Sequence, residues 1–287
     1  MKQTFFLGLA LLAAASLSAA DLRESTLVQV VNEVKVAPPQ AAEKEAKAND
    51  VVRAPDKIRT GPKSRAELKS ADNTLTRIGA NTIFAFEQSG RVLNLEKGSI
   101  LFHAPSGRGG GTIKSAGASA AVLGTTLIVA STADGGFKCI LLEGKGTITL
   151  PNGKTQRLEA GDMVHVPAGA QSFGALVKID LAKLVEGSQL VNGFAASLPS
   201  MALVRNEIAK QRIAIISGTY DETGVMIGRV SSANDPLPIS PILQQGNAVP
   251  PVFLDPQSAP PPGVSNGKIT LGYGVYPFSV RQGSTVP

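Results

Sequence analysis

The sequence predicts a mainly β protein: a β-roll, short solenoid or sandwich of short antiparallel strands, followed by one or two C-terminal helices and a proline-rich tail. Three observations predict this fold class. Short runs of alternating apolar and polar residues follow one another from Val51 to Val166. Turn-forming stretches such as "SADNT", "EKGS" and "PNGK" separate these runs at brief intervals. The spacing of these short strands is too regular for alternating βαβ units, and apolar residues at helical spacing follow after Gly174.

Residues 1–20 have the composition of a cleavable signal peptide. Lys2 supplies a positive start, residues 5–15 an apolar core, and residues 18–20 ("SAA") a small-residue cleavage site. The apolar run is shorter than the roughly 20 residues that a membrane-spanning helix requires. We therefore expect export, cleavage after Ala20, a periplasmic or secreted location, and no transmembrane segment after removal of the leader.

Residues 21–50 are predicted to form a strand and a polar connector. Val28 and Val30, and then Val34 and Val36, alternate with polar residues, a pattern that favours an edge strand docked on the following domain. The Ala- and Lys-rich stretch "APPQAAEKEAKAND" follows as the connector.

Residues 51–174 are predicted to form the β-domain, and "TITLPNGKTQRL" is its clearest hairpin. Ile148 and Leu150 lead into an Asn152-Gly153 turn, and Leu158 returns on the same apolar side.

Residues 175–218 are predicted to be a helical extension. The first helix carries Leu181, Leu184 and Val185 at helical spacing, with Asp180 as its N-cap. The second helix begins at the cap Ser200 and stops at Gly218. Four apolar residues of the second helix are expected to dock on the β-domain: Leu203, Val204, Ile208 and Ile215.

Residues 219–287 are predicted to be a largely disordered, proline-rich tail. Proline at the density of "DPLPISPILQQGNAVPPVFLDPQSAPPPG" precludes central strands and long helices. The later stretch "KITLGYGVYPFSV" regains strand character. It could add a strand to a partner or to the core, or be an adhesive segment within a flexible tail.

The charge does not favour nucleic acid as a partner, although the net charge is +6. Basic residues are scattered and aromatic residues are few. The densest basic cluster fits a solvated strand face better than a surface that binds the phosphates of nucleic acid. An exported protein also rarely meets nucleic acid. An acidic envelope polymer is therefore the better electrostatic partner. The cluster comprises Lys57, Arg59, Lys63, Arg65 and Lys69.

Cys139 is the only cysteine, so no intramolecular disulfide can form. It lies in the apolar run "FKCILLEG", which predicts a small buried hydrophobic residue.

The stretch "GDMVHVPAGAQS" resembles the second sequence signature of the cupins. Gly161, Pro167 and Gly169 match it, but Ser172 stands where a metal-binding cupin has a histidine. His103 is isolated and His165 lies mid-strand, so two histidines cannot supply the usual three-nitrogen site. We expect no metal and no other cofactor; a glycine turn and a proline strand end explain the pattern.

No enzyme signature stands out. "SGRGGGTIKS" lacks the spacing of a phosphate-binding loop, and no Gly-x-Ser-x-Gly motif is present. Paired glycosidase carboxylates stay open at this point, because the fold alone sets their separation. The acidic residues nevertheless fall at predicted turns and strand ends, as solvated acids do. They include Glu67, Asp72, Glu96, Glu143, Glu159 and Asp162. We expect no catalytic residues.

Four stretches, in order, resemble the FecR protein domain family. They are "SRAELKSADNTLTRIGANTIFAF", "VLNLEKGSILF", "GTIKSAGASAAVLGTTLIV", and "FKCILLEGKGTI" with the later "LEAGD". Together they span residues 64–162. The resemblance implies a β-domain that contacts proteins or ligands in the periplasm and lacks catalytic residues. The best-known members span the inner membrane and control a sigma factor; in this chain we expect a cleavable leader where their cytoplasmic part would be, and no anchoring helix.

Four positions of this region, three glycines and one threonine, are interpreted as structural. Gly124 interrupts an apolar strand, as glycine does at a bulge or a close backbone approach, and Thr125 can bond a neighbouring carbonyl. Gly144 and Gly161 are interpreted in the same way.

The preferred hypothesis is a non-catalytic FecR-type protein of the cell envelope that binds a protein or polymer partner, with a possible part in envelope signalling. One alternative is a diverged cupin-like enzyme or small-ligand binder. Another is a structural surface protein that assembles into homo-oligomers through its tail.

Overall fold

The fold is known from a computed structural model that describes residues 22–88, 90–132, 134–223, 226–229, 268–271 and 274–277. The predicted leader (residues 1–20) and the proline-rich stretch (residues 235–263) lie outside these residues. Within the described ranges, no helix is both long enough and apolar enough to cross a membrane.

The fold is mainly β, as the sequence predicts. The strands are β1 (Glu24–Val31), β2 (Val34–Ala37), β3 (Lys44–Glu45), β4 (Val51–Arg53), β5 (Lys57–Thr60), β6 (Arg65–Lys69), β7 (Leu75–Ile78), β8 (Ile83–Phe86), β9 (Val92–Ala104), β10 (Gly111–Lys114), β11 (Ser119–Val122), β12 (Thr125–Ser131), β13 (Phe137–Glu143), β14 (Lys145–Thr149), β15 (Thr155–Glu159), β16 (Asp162–Val166), β17 (Val177–Ile179), β18 (Tyr220–Thr223), β19 (Met226–Arg229), β20 (Lys268–Leu271) and β21 (Gly274–Pro277). The helices are α1 (Leu181–Gly187), α2 (Gln189–Asn192) and α3 (Met201–Ile216).

Two sheets share the long strand β9. Sheet A runs in the order β4, β1, β6, β7, β9, β12, β13, β16, β17, β19, β18. Sheet B runs in the order β3, β2, β5, β8, β9, β10, β11, β14, β15. Every pairing is antiparallel except β9 with β10, which is parallel.

β9 passes from one sheet to the other at Gly98. Its first half pairs with β8 and β10, and its second half pairs with β7 and β12. Gly98 has φ +91°, and a Cβ placed there would lie 2.5 Å from the Thr82 Cα. Only glycine fits this corner, because a side chain would meet both the steric and the backbone penalty.

The chain forms three layers around two apolar cores. The inner faces of both sheets enclose the first core, which includes Phe84, Leu93, Phe102, Ile113 and Leu127. The other face of sheet A packs against the helices in a second core, which includes Leu101, Ile128, Ile140, Leu181 and Val204. The helices thus cover one side of the sandwich.

Local signals in the sequence placed several elements correctly. Gly153 has φ +85° in the β14–β15 turn, as the Asn-Gly hairpin requires. The side chain of Asp180 caps α1 by accepting from the Lys183 N–H at 3.1 Å. The sheet continues past residue 219, where the sequence predicted a largely disordered tail, since β19 pairs with β17 and β18. The terminal stretch forms a separate hairpin of β20 and β21.

The second helix departs from the prediction at two residues. The Ser200 side chain makes no cap bond, because its hydroxyl bonds instead to Thr126 on sheet A at 2.6 Å. Leu203 is 50% exposed and does not dock, whereas Val204 is fully buried. Ile208 packs partly against the second core.

Candidate functional site

The two histidines do not come together. Both side chains belong to the helix-facing side of sheet A, but His103 pairs with Thr126 in register, whereas His165 pairs with Lys138 at the other end of the strands. No group of three metal-ligating side chains occurs among the residues that the structure describes. Ser172 lies in an exposed loop after β16.

His103 belongs to a buried polar cluster beneath the start of α3. Its Nδ1 lies 2.9 Å from the Thr126 hydroxyl, which donates to the Glu143 carboxylate at 2.7 Å and contacts the Ser200 hydroxyl. Burial lowers the pKa of His103 and raises the pKa of Glu143. Through the bond between Thr126 and Ser200, this cluster links the start of α3 to sheet A.

A second buried cluster centres on Arg77. Its guanidinium, fully buried, donates to Glu67 at 2.6 Å and to the backbone carbonyls of Val191 and Ala196 at 2.7 and 2.5 Å. The ring of Phe194 lies 4.5 Å from the Arg77 Cζ, a cation–π distance. Burial lowers the pKa of Arg77, opposed by its bond to Glu67.

The expectation that the acidic residues are solvated is therefore wrong for three of them. Glu67, Glu143 and Asp162 are 5%, 4% and 6% exposed. Glu67 and Glu143 face the helical segment, and Asp162 accepts from the Lys178 Nζ at 2.8 Å. Each carboxylate is buried because a hydrogen-bonding partner from another part of the chain compensates for its desolvation.

Lys138, which is buried, and His165, which is half-buried, are neighbours in register on β13 and β16. Lys138 is 1% exposed, and burial holds its pKa well below the ordinary value. Burial, together with the nearby Lys138, lowers the pKa of His165 to about 4. Cys139 on the same strand faces the first core, and burial raises the pKa of its thiol.

The four glycine-motif positions lie where chain segments approach closely. Gly124, Gly144 and Gly161 have φ of +65°, +82° and +82°. The Thr125 hydroxyl donates to the Lys145 carbonyl at 3.0 Å, and a Cβ on Gly144 would lie 2.7 Å from that hydroxyl. A Cβ on Gly161 would overlap the side-chain amide of Gln211. We propose that these positions act on the fold and not on a ligand.

The basic residues that the sequence grouped together are divided among different partners. Lys57 and Arg59 on β5 pair with Glu96 at 2.6 Å and with Glu43 at 2.8 Å. Arg65 instead donates to the backbone carbonyl of Gly193.

The outer face of sheet B carries a flat polar surface. Ten outward-facing positions of β9, β10, β11, β14 and β15 align in two rows, and the ion-paired Lys145 and Glu159 continue the same side of β14 and β15 beyond the second row. We name these ten positions the open face: Asn94, Lys114, Ser119, Thr149 and Thr155 in one row, and Val92, Thr112, Ala121, Thr147 and Arg157 in the other. All ten are half-buried or exposed.

The polar groups of the open face differ in their hydrogen bonding from those of the helix-covered face. Its five hydroxyl groups, the Asn94 amide and the Arg157 guanidinium have no side-chain hydrogen bond to any described residue. Lys114 pairs with Glu87 outside the surface at 3.3 Å. By contrast, His103, Thr126, Glu67 and Arg77 on the covered face are all bonded.

The sequence alternation indicates which residues of these strands point outward. It did not distinguish the open face as a surface, because the docking of the helices decides which side of the sandwich is covered.

Comparison with known families identifies part of the β-domain. Residues 56–145 match the family model described as FecR protein. This segment is a FecR domain. It runs from just before β5 to the start of β14, so the open face lies partly within the FecR domain and partly on the β14–β15 hairpin that follows it.

A comparison with solved structures finds two similar chains, and both are crystal structures of a "putative anti-sigma factor" from Parabacteroides distasonis. Their sequence identities are 13% and 14%, and each TM-score is 0.40. Each comparison covers 62% of this chain and 99% of the other. No curated protein matches the chain.

Proposed function

We propose that this chain is an exported protein of the cell envelope whose FecR domain binds a protein or polymer partner and catalyses no reaction. The open face is the observation that carries this proposal. Unbonded polar groups on a half-exposed sheet retain their full capacity to bond a partner. A FecR domain fits a role in envelope signalling.

The two sides of the sandwich support a division of roles. Sheet A is covered by the helical segment, and the buried polar clusters there fasten helix to sheet. Sheet B has an uncovered polar side of at least five strands. The covered side stabilises the fold, whereas the open side is available for contact.

The proposed domain organisation follows the same division. Residues 1–20 form a leader, 51–174 the binding domain, and 175–218 its helical cover. Residues 21–50, which precede the domain, add β1 to sheet A between β4 and β6, and add β2 and β3 to sheet B. Because β18 and β19 extend sheet A, we place the start of the proline-rich tail after Arg229 and not at residue 219.

A site-specific photo-crosslinker tests the proposal. The probe is placed at Ala121, in the middle of the open face, and at Ile213, a 66% exposed residue of α3 on the opposite side. In living cells, we expect an adduct in the envelope fraction from position 121 and none from position 213. Adducts only from position 213, or from neither position, would contradict it.

A further inference from the structure

We infer that the open face binds an extended polysaccharide whose sugar residues carry carboxylate groups. This inference rests on the proposed function, because it assigns a chemical class of partner to the same face. Three properties of the face support it: its hydroxyl groups, its charges and its lack of aromatic residues.

The hydroxyl groups form a regular field. Thr112, Ser119, Thr147, Thr149 and Thr155 lie on four neighbouring strands. Strands in a sheet are about 4.8 Å apart, so the field spans about 14 Å. Each hydroxyl can donate one hydrogen bond and accept two, which matches the mixed donor and acceptor character of sugar hydroxyls. The threonine methyl groups add small apolar contacts for sugar C–H groups.

The charges of the face have one sign. Lys114 and Arg157 are the only charged residues among its ten positions, and no carboxylate lies within the two rows. The nearest carboxylates border the rows: Glu87 pairs with Lys114, and Glu159 pairs with Lys145. They stand at opposite ends of the field, on β10 and β15. An ammonium or guanidinium group bonds a carboxylate more strongly than a neutral hydroxyl. A polymer with repeated carboxylates can reach both cations at once, whereas a single sugar acid cannot.

The composition argues against a folded protein as the partner. The cores of protein–protein interfaces are enriched in Tyr, Trp, Phe and Met. The open face has none of these, and its apolar residues are limited to Val92 and Ala121. Hydrogen bonding, and not burial of large apolar side chains, must therefore provide most of the contact.

Binding of the purified, full-length mature protein to polygalacturonate tests the inference. Methyl-esterified polygalacturonate is the matched neutral polymer, and galacturonate monomer is the matched single unit. We expect saturable binding to the acidic polymer, and at least about tenfold weaker binding to the other two, from the loss of charge-assisted bonds.

Two double variants locate the binding. Lys114→Gln with Arg157→Gln should weaken polymer binding by about tenfold or more. Arg205→Gln with Arg212→Gln removes the same charge from exposed residues of α3 and should change affinity less than about twofold. If both double variants lose affinity equally, the polymer is held only by net charge and the inference is overturned.

Thr147→Val with Thr149→Val removes two hydroxyls and keeps the branched shape that strands favour. We expect affinity to fall several-fold with an unchanged circular dichroism spectrum. Unchanged affinity would overturn the inference.

Other results separate this inference from the proposed function. Equal binding of polygalacturonate and its neutral ester would overturn the need for carboxylates. Tighter binding of polyglutamate than of polygalacturonate would overturn the polysaccharide assignment in favour of an acidic protein. In either case, or if no polymer binds, a crosslinked adduct at position 121 would still support binding through the open face.

Discussion

The guanidinium of Arg77 and the carboxylate of Glu67 meet at 2.6 Å beneath the helical segment, where both side chains are buried. Arg77 also binds backbone carbonyls of residues 190, 191 and 196. Two neighbouring strands of sheet A thus hold a chain segment more than a hundred positions away. The FecR domain and the C-terminal extension are therefore one cooperative structure.

Replacing Arg77 should destabilise the protein strongly. Arg77→Met leaves the carboxylate of Glu67 buried without its cation and leaves carbonyls of the extension without donors. Breaking a buried pair in this way typically costs about 3–5 kcal/mol. Urea denaturation, followed by circular dichroism, measures this loss in the free energy of unfolding.

Two controls separate this effect from the loss of any ion pair. Arg59→Met breaks an exposed pair with Glu43 and should cost less than about 1 kcal/mol. Adding Glu67→Leu to Arg77→Met should recover part of the loss, because no buried charge then remains unpaired. Equal losses for Arg77→Met and Arg59→Met would contradict the structural role given to Arg77.

Gly144→Ala should destabilise the fold more than Gly153→Ala. Both glycines have positive φ, so both substitutions meet the backbone penalty of about 1–2 kcal/mol. At Gly144 the new methyl group would also lie 2.7 Å from the Thr125 hydroxyl and 3.1 Å from the Gly124 carbonyl. At Gly153 nothing lies within 4 Å. Thermal unfolding of the two variants gives the comparison, and equal midpoints would show that the close approach has no energetic consequence.

Short-range features of this fold could be predicted from the sequence. The Asn152-Gly153 turn and the Asp180 cap depend on residues within a few positions of each other, and both are present. The FecR resemblance likewise rests on local stretches in a fixed order. Strand alternation also indicated correctly that Ile148, Leu150 and Leu158 share an apolar side, since all three are buried.

Long-range relationships could not be predicted in the same way. Glu67 and Glu143 resemble solvated acids in the sequence because their compensating contacts come from elsewhere in the chain. Ser200 resembles a helix cap because nothing local indicates that its hydroxyl reaches Thr126. The distinction between the open face and the covered face also depends on where the helices dock.

Adjacent residues of α3 should respond differently to truncation. Val204 is fully buried in the second core, so Val204→Ala should cost about 2 kcal/mol through lost apolar burial and the cavity left behind. Leu203 is half-exposed, and Leu203→Ala should cost less than about 0.5 kcal/mol because alanine favours the helix. Chemical denaturation of both variants checks the docking of α3. A larger loss at Leu203 would mean that the helix packs through a different side.

His165 should make the protein sensitive to mild acid. Its pKa is about 4 in the folded protein, chiefly because of burial, against an ordinary value of 6.5. Between these two values the unfolded chain binds a proton that the folded chain does not. The free energy of unfolding must therefore fall as the pH decreases from about 6.5 to about 4. His165→Gln removes this titration. As the pH falls over that interval, the free energy of unfolding of the variant should therefore rise relative to that of the parent protein. The expected difference is on the order of 1–2 kcal/mol, because solvent screens the partly exposed ring. Urea denaturation of both proteins across this pH range gives the difference directly. Carboxylates that titrate in both proteins cancel in that difference, so two parallel curves would show that His165 is not responsible for any loss of stability in acid.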